Sequence, residues 1–268
     1  MTRVGVIGAC GRMGRLICGA VLEAEDLELV AAVDRSRVGE PLGAVIGRPG
    51  VQVPVSEDLE ALTEAGVEVG IDFTHPDVVM DTIHWCIARA VPVVVGTSGI
   101  TEADLERIGD LGREAGDRSA VIVVSNFALG AVLMQRFAAT AARVLPAVEI
   151  VELHHQGKAD APSGTAIVTA ERVARQRAAT ARSASTERVA GVRGGEVEGV
   201  RIHSVRLPGL VAHQEVIFGG PGETLTIRHD STDRSSFLPG VLLAVRAAPH
   251  RPGLTAGLEA LLDLPAGS

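Results

Sequence analysis

The sequence predicts an α/β protein in which a doubly wound parallel sheet is followed by a second α/β domain on an antiparallel or mixed sheet. Three observations lead there. Up to residue 127, short Val/Ile runs alternate with stretches of helical spacing, which is the pattern of parallel strands joined by crossover helices. Beyond it, several apolar runs are separated only by Gly/Pro turns, which is the pattern of directly connected strands. Aromatic content is 2%, with no Tyr and 1 Trp, so Val, Ile, Leu and Ala must build the core, with 31 Gly to make tight turns.

Taken in order, Arg3 to Ile7 reads as a strand buried on both faces and ending at Gly8. Met13, Ile17, Ala20, Val21 and Ala24 then recur at helical spacing, predicting a helix over 12–24. Leu27 to Val33 completes a βαβ unit of the roughly 30 residues such units need. Strands are predicted at 69–73, 91–95 and 120–124, with helices over 76–90, where Pro76 suits a first turn, and from Thr101, whose partner Asp104 completes a capping box. An Ala-rich helix over 128–145 stops at Pro146, a strand over 148–153 leads into two histidines, and Pro162 announces a helix over 163–177. Residues 178–199 are polar and Gly/Ser/Thr-rich, as in a surface loop. Strands follow at 200–207, 211–218 and 224–229, and two helical stretches, 235–247 and 254–264, close the chain. No internal repeat is present.

The chain length of 268 residues suits one large domain or two smaller ones. A net charge of -8 argues against nucleic acid or an anionic membrane as the main partner, while a local basic pocket remains compatible with an anionic small molecule. The cysteines, Cys10, Cys18 and Cys86, form no CxxC pair, so neither a disulfide framework nor a zinc site is expected, and no metal is assigned. With no signal-peptide pattern at the first residues and no apolar run long enough to span a bilayer, the expectation is a reduced, cytoplasmic protein.

Gly8, Gly11 and Gly14 stand where the first strand turns into the first helix. A dinucleotide site needs glycines there for the turn, for close approach of the pyrophosphate and for helix–strand packing, and the helix N-terminus supplies N–H donors to phosphate. The spacing is GxxGxxG rather than GxGxxG, so context carries the inference: Asp34 ends the next strand, where a carboxylate accepts hydrogen bonds from the adenosine ribose hydroxyls. That carboxylate favours NAD, whereas Arg12 and Arg35 could pair with a 2′-phosphate, so NADH and NADPH both stay open. Gly96-Thr97-Ser98-Gly99 and Ser125-Asn126-Phe127 end two later strands, the position from which loops reach the nicotinamide half.

The stretch from Glu152 to Ala166 holds two imidazoles (His154, His155), an ammonium (Lys158), carboxylates, hydroxyls and a helix start. Adjacent histidines on a strand point to opposite faces, but the strand ends at this pair, which lets both serve. Ser163-Gly164-Thr165 after Pro162 forms a helix start whose free N–H groups, with the nearby lysine, suit a carboxylate as well as an N-cap.

Together Gly8-x-x-Gly11-Arg12-Met13-Gly14, Gly96-Thr97-Ser98-Gly99 and Glu152-Leu-His-His-x-x-Lys-x-Asp-Ala-Pro-Ser-Gly-Thr-Ala resemble the 4-hydroxy-tetrahydrodipicolinate (dihydrodipicolinate) reductase family, from the first strand through the last strands. The resemblance implies a Rossmann-type domain plus an α/β domain with an open mixed sheet. It implies a homotetramer and NADH- or NADPH-dependent reduction of a cyclic conjugated imine dicarboxylate in diaminopimelate and lysine synthesis. It implies a dinucleotide-binding domain of residues 1–126 and 236–268, and a substrate-binding and oligomerisation domain of residues 127–235. By motif, His154 is the acid/base histidine and Lys158 the other proton donor, while His155, Ser163, Gly164 and Thr165 bind the substrate carboxylates. Gly8, Gly11, Arg12 and Met13 lie at the pyrophosphate, Asp34 and Arg35 at the ribose, and Gly96, Thr97, Ser98, Ser125, Asn126 and Phe127 near the nicotinamide. A charged His154 and Lys158 are expected to supply the proton after hydride transfer. Ser98 stands where Thr is common, which keeps the hydroxyl, and Ala128 stands where many members carry Ser, which removes one. A semialdehyde dehydrogenase on a similar plan would need a cysteine nucleophile at the domain junction, and none of the cysteines falls there. A dinucleotide sensor without catalysis would leave the lysine, the histidines and the helix start unexplained.

Overall fold

The computed structural model describes residues 1–116, 118–178 and 186–263. The chain folds as two units, Met1–Phe127 with the stretch from Phe237, and Ala128–Ser236.

The first unit begins with β1 (Thr2–Ile7), α1 (Arg12–Glu23) and β2 (Leu27–Val33). Next come α2 (Leu42–Ile46), β3 (Val55–Ser56), α3 (Glu60–Glu64), β4 (Val69–Asp72), α4 (Pro76–Ala88), β5 (Val93–Val95), α5 (Glu102–Glu114) and β6 (Ala120–Val123). The short elements α2, β3 and α3 carry too few residues for any periodicity to show in the sequence. Thr101 and Asp104 exchange both hydrogen bonds of the capping box at α5, which fixes where that helix starts. The strand runs are largely apolar because both faces are covered: all four residues of β4, Val69, Gly70, Ile71 and the single charged Asp72, are buried.

The second unit holds α6 (Leu129–Ala142), β7 (Ala147–His154), α7 (Gly164–Gln176), β8 (Gly195–Val197), β9 (Val200–Arg206), β10 (Ala212–Gly220) and β11 (Glu223–Ser231). Strand β8 lies inside the stretch expected to be loop, part of which (179–185) is outside the described residues. The order is β11-β10-β7-β9-β8, with β7 and β9 parallel and the other pairs antiparallel, so the sheet is open and mixed. Met134 and Ala138 of α6 and Ala166, Ala170 and Val173 of α7 pack on one face, against Ile150, Ile202, Val216 and Phe218.

The register makes that face change character along the strands. One row across the sheet is Ile227, Val216, Ile150 and Ile202. Two residues on it is His229, Gln214, Glu152 and Ser204, and two further it is Ser231, Ala212, His154 and Arg206. An apolar core therefore grades into a polar edge at the carboxyl end of β7.

The chain then returns to the first unit through a 3-10 turn (Arg234–Phe237), α8 (Leu238–Ala247) and β12 (Gly253–Ala256). Here one expectation fails. The stretch from Leu254 is not a helix but an edge strand paired in parallel with β6, followed by a 3-10 turn, Leu258–Leu261. Gly253 (φ 82) and Gly257 (φ 85) break the helical path at both ends of those four residues, and the open edge of β6 offers backbone partners instead. The completed sheet is parallel and seven-stranded, in the order β12-β6-β5-β4-β1-β2-β3. Its direction of winding reverses between β1 and β4, so the carboxyl ends of those two strands flank the crevice where open α/β sheets bind ligands.

Candidate active site

At the end of β1 the backbone turns through Gly8, whose φ of 81 is open to glycine at little cost. A Cβ at Gly8 would lie 2.5 Å from the Phe73 carbonyl oxygen, and one at Gly14 would lie 2.0 Å from the Gly8 carbonyl oxygen. Gly8 thus makes the turn and Gly14 lets α1 press onto it. Gly11 is the N-cap of α1 and no side chain caps that helix start, so its first N–H groups remain available to an anion. Arg12 is exposed beside it and Met13 half-buried. This arrangement fits a dinucleotide pyrophosphate.

Asp34 follows β2 and ties this loop together. Its carboxylate accepts hydrogen bonds from the Cys10 N–H (2.8 Å), the Ser36 N–H (2.9 Å) and the Ser36 hydroxyl (2.7 Å). Each carboxylate oxygen has more than one acceptor position, so a ribose hydroxyl can still be received. Arg35 beside it is exposed.

Phe73 links the loops on the other side of the crevice. Its ring lies so close to Gly96 that a Cβ there would come within 2.1 Å, and its centroid is 5.5 Å from that of Phe127. Thr97 is buried: its hydroxyl donates to Asp72 (2.6 Å) and accepts from the Thr74 N–H (2.7 Å). Asp72 is itself buried, and burial raises its carboxyl above the usual range against hydrogen bonds from Thr97 and Thr74. Ser98 and Ser125 are exposed and Asn126 half-buried, on loops held from below by Asp72 and Phe73. Neither Asp72 nor Phe73 was marked by the sequence. Their only signal there was a carboxylate ending an otherwise apolar strand.

In the second unit, His154 is the last residue of β7, and its Nδ1 is 2.5 Å from Glu152 Oε2. Glu152 is fully buried and receives Arg206 through two bonds, Nη1 to Oε2 at 2.9 Å and Nη2 to Oε1 at 2.8 Å. Burial opposes ionisation of Glu152, but Arg206, Ser204 and His154 outweigh it and hold the carboxyl below its ordinary value. An ionised Glu152 can only accept, so His154 Nδ1 carries the proton and Nε2 presents a lone pair. Burial, outweighing the pull of Glu152, holds His154 below its usual value, with Lys158 and Arg206 adding to the effect. The expected charged imidazole therefore needs added negative charge nearby to form.

Lys158 sits in the turn after β7, its N–H donating to the His155 carbonyl at 3.1 Å. Its ammonium donates to both oxygens of Asp160, at 2.7 and 2.9 Å. Asp160, exposed and held below its ordinary range chiefly by that bond, is the counter-ion of the lysine. His155 is exposed at the same turn. Ser163 is buried as the N-cap of α7, its hydroxyl accepting from the Ala166 N–H at 3.2 Å, while the position of Gly164 is open enough that a Cβ would meet nothing within 4 Å. Thr165 is half-buried on the first turn. One unit thus gathers an imidazole, an ammonium and a helix N-terminus. Arg206, which organises the first of these, was not marked by the sequence because its partner lies far away along the chain.

The cysteines offer no nucleophile. Burial raises all three thiols, pushing Cys18 and Cys86 up to about 12. Among the described residues, no group of three or more His, Cys, Asp or Glu is placed to hold a metal ion, and no helix is long and apolar enough to cross a membrane.

A nucleotide-ready loop on a reversing parallel sheet in one unit, and an imidazole, an ammonium and a helix N-terminus in the other with no cysteine nucleophile, fit a nicotinamide-dependent oxidoreductase. Comparison with known proteins narrows the class. The family models "Dihydrodipicolinate reductase, N-terminus" and "Dihydrodipicolinate reductase, C-terminus" match residues 2–127 and 130–262. A 4-hydroxy-tetrahydrodipicolinate reductase of Nocardia farcinica is 52% identical over 267 residues, covering 98% of this chain and 99% of its own. That of Mycolicibacterium smegmatis is 48% identical over 264 residues, with the same coverage, 98% and 99%. The solved structure of a dipicolinate-bound dihydrodipicolinate reductase from Paenisporosarcina sp. TG-14 superposes with a TM-score of 0.85 at 40% identity, covering 98% of this chain and 100% of that one. The chain belongs to the dihydrodipicolinate reductase family, whose members are NADH- or NADPH-dependent oxidoreductases of diaminopimelate and lysine synthesis.

Proposed function

We propose that this chain reduces a cyclic conjugated imine dicarboxylate to tetrahydrodipicolinate, with the first unit holding the dinucleotide and the second the substrate. The observation that carries the site assignment is the cluster at the carboxyl end of β7, where His154, Lys158 and the α7 N-terminus meet the needs of a dianion that must be protonated. Gly8, Gly11, Arg12 and Met13 would hold the pyrophosphate, Asp34 and Arg35 the ribose, and residues 96–98 and 125–127 the nicotinamide end. When bound, the reduced nicotinamide supplies hydride to the substrate ring.

The remaining work falls to this chain's own residues. His155, the Ser163 hydroxyl and the N–H groups of Gly164 and Thr165 receive the carboxylates. A substrate carboxylate displaces Asp160 from Lys158, exchanging one anion for another around the ammonium. Lys158 then carries a proton within reach of the ring nitrogen as negative charge develops there. The arriving dianion favours the charged form of His154, because nearby negative charge stabilises the imidazolium.

Lys158→Met and His154→Ala are each expected to lower turnover about 10²-fold or more while leaving dinucleotide affinity nearly unchanged. Near-normal turnover in both variants would contradict the assignment. A homotetrameric assembly is supported by the face of the second sheet turned away from α6 and α7. There half-buried Val151, Leu153, Val205 and Ile217 lie among charged groups such as Glu149 and Glu215. Membership of a biosynthetic enzyme family supports a cytoplasmic location.

A further inference from the structure

We propose that Glu152 and Arg206 together position His154 for proton handling, Glu152 by fixing which ring nitrogen carries the proton and Arg206 by cancelling the charge of Glu152. The proposal rests on His154 being the acid/base group, and it assigns a role to two residues outside that pair.

A carboxylate that is fully buried is costly and needs a reason. The rows of the sheet supply one. Ile150 stands two residues before Glu152 on the same face and fills its row with carbon, so packing alone would be served by another aliphatic side chain. Glu152 instead lies between Gln214 and Ser204 and aims at the His154 ring on its own strand. A lone Glu152 would hold the imidazole in its charged form. Arg206 removes that bias, because its fork occupies both carboxylate oxygens and leaves the His154 bond in place.

The same guanidinium donates to the Asp160 carbonyl at 2.8 Å and to the Val205 carbonyl at 2.8 Å. Asp160 in turn holds Lys158. One side chain from β9 therefore anchors the counter-ion of His154 and the loop that carries Lys158.

The charged groups facing His154 are Glu152 from β7, Arg206 from β9 and Lys158 from the following turn. From β10 its partner is Ala212, and His229 of β11 is separated from Glu152 by Gln214. The buried residues that α7 turns inward near its start, Ser163, Ala166 and Thr169, are uncharged, as is Gln135 of α6.

The test is an NMR titration of the His154 imidazole, identified by its loss in His154→Ala, in the full chain and in Glu152→Gln and Arg206→Gln. The pairing predicts opposite shifts. Glu152→Gln should lower the His154 midpoint by about one pH unit and mix the two tautomers, a tenfold change in proton affinity. Arg206→Gln should raise it by a similar amount and keep the Nδ1–H tautomer. If Arg206→Gln does not fold, Arg206→Lys keeps the charge, loses the fork and should raise the midpoint by less. Shifts in the same direction, or an unmoved midpoint and tautomer, would overturn the proposal. Opposite NMR shifts with an unmoved kcat–pH profile would support the positioning of His154 and remove its catalytic reading instead.

Discussion

At the scale of single residues, the site depends on carboxylates that the protein has already partnered. Asp34 is tied to Cys10 and Ser36, so it is placed before any ribose arrives. Loss of its charged acceptor is expected to cost about 1.5–3 kcal/mol, a rise of roughly tenfold or more in the KM for NADH. Asp34→Ala should leave kcat nearly intact and affect NADPH less, which steady-state kinetics with both dinucleotides will check. Asp72 acts one layer below. Burial raises its carboxyl against hydrogen bonds from Thr97 and Thr74, so an uncharged amide of the same shape suits the position. Asp72→Asn should fold with little loss of stability, because the amide oxygen can still accept from Thr97. Asp72→Ala removes that acceptor and should raise the dinucleotide KM several-fold, at a thermal cost of about 1–3 kcal/mol. Equal loss in the two variants would show that the charge, not the acceptor, matters. The contrast shows what was legible. Asp34, His154 and Lys158 stand in local motifs that make them candidates in the sequence, whereas the contacts of Arg206 with Glu152 and of Asp72 with Thr97 join residues distant along the chain.

At the scale of elements, the glycine loop works because α1 lies almost against the turn that precedes it. A methyl group at Gly14 would sit 2.0 Å from backbone that cannot yield, so Gly14→Ala must displace α1 and its N-terminus. Stability is expected to fall by about 2–4 kcal/mol with dinucleotide affinity lost in parallel, measurable by thermal unfolding with and without dinucleotide. Gly11→Ala meets only the Gly8 carbonyl, at 3.1 Å, and should be far milder for folding. The strong elements were legible because periodicity and caps agree, as in α5 with Thr101 and Asp104. Strand β12 was not, since its few residues fit a helical repeat equally well and the free edge of β6 decided the matter.

At the scale of the whole molecule, the chain closes the first unit with its own C-terminal stretch. Arg246 of α8 forms two hydrogen bonds to Asp26, at 2.7 and 2.8 Å, joining distant parts of the chain at the surface. Those bonds lower the Asp26 carboxyl to about 2 in the fold. A depressed carboxylate contributes stability above its unfolded value, near 4, and loses it as pH falls towards 2. The melting temperature of Arg246→Ala should therefore lie below that of the parent chain at pH 7 and converge with it in acid; a constant gap would contradict the pairing. The central claim concerns function, and the most direct measurement is loss of reduced-nicotinamide absorbance on adding the condensation product of pyruvate and aspartate semialdehyde. The parent chain should oxidise NADH or NADPH, and Lys158→Met should do so at least about 10²-fold more slowly. No oxidation by the parent chain, or undiminished oxidation by Lys158→Met, would contradict the account.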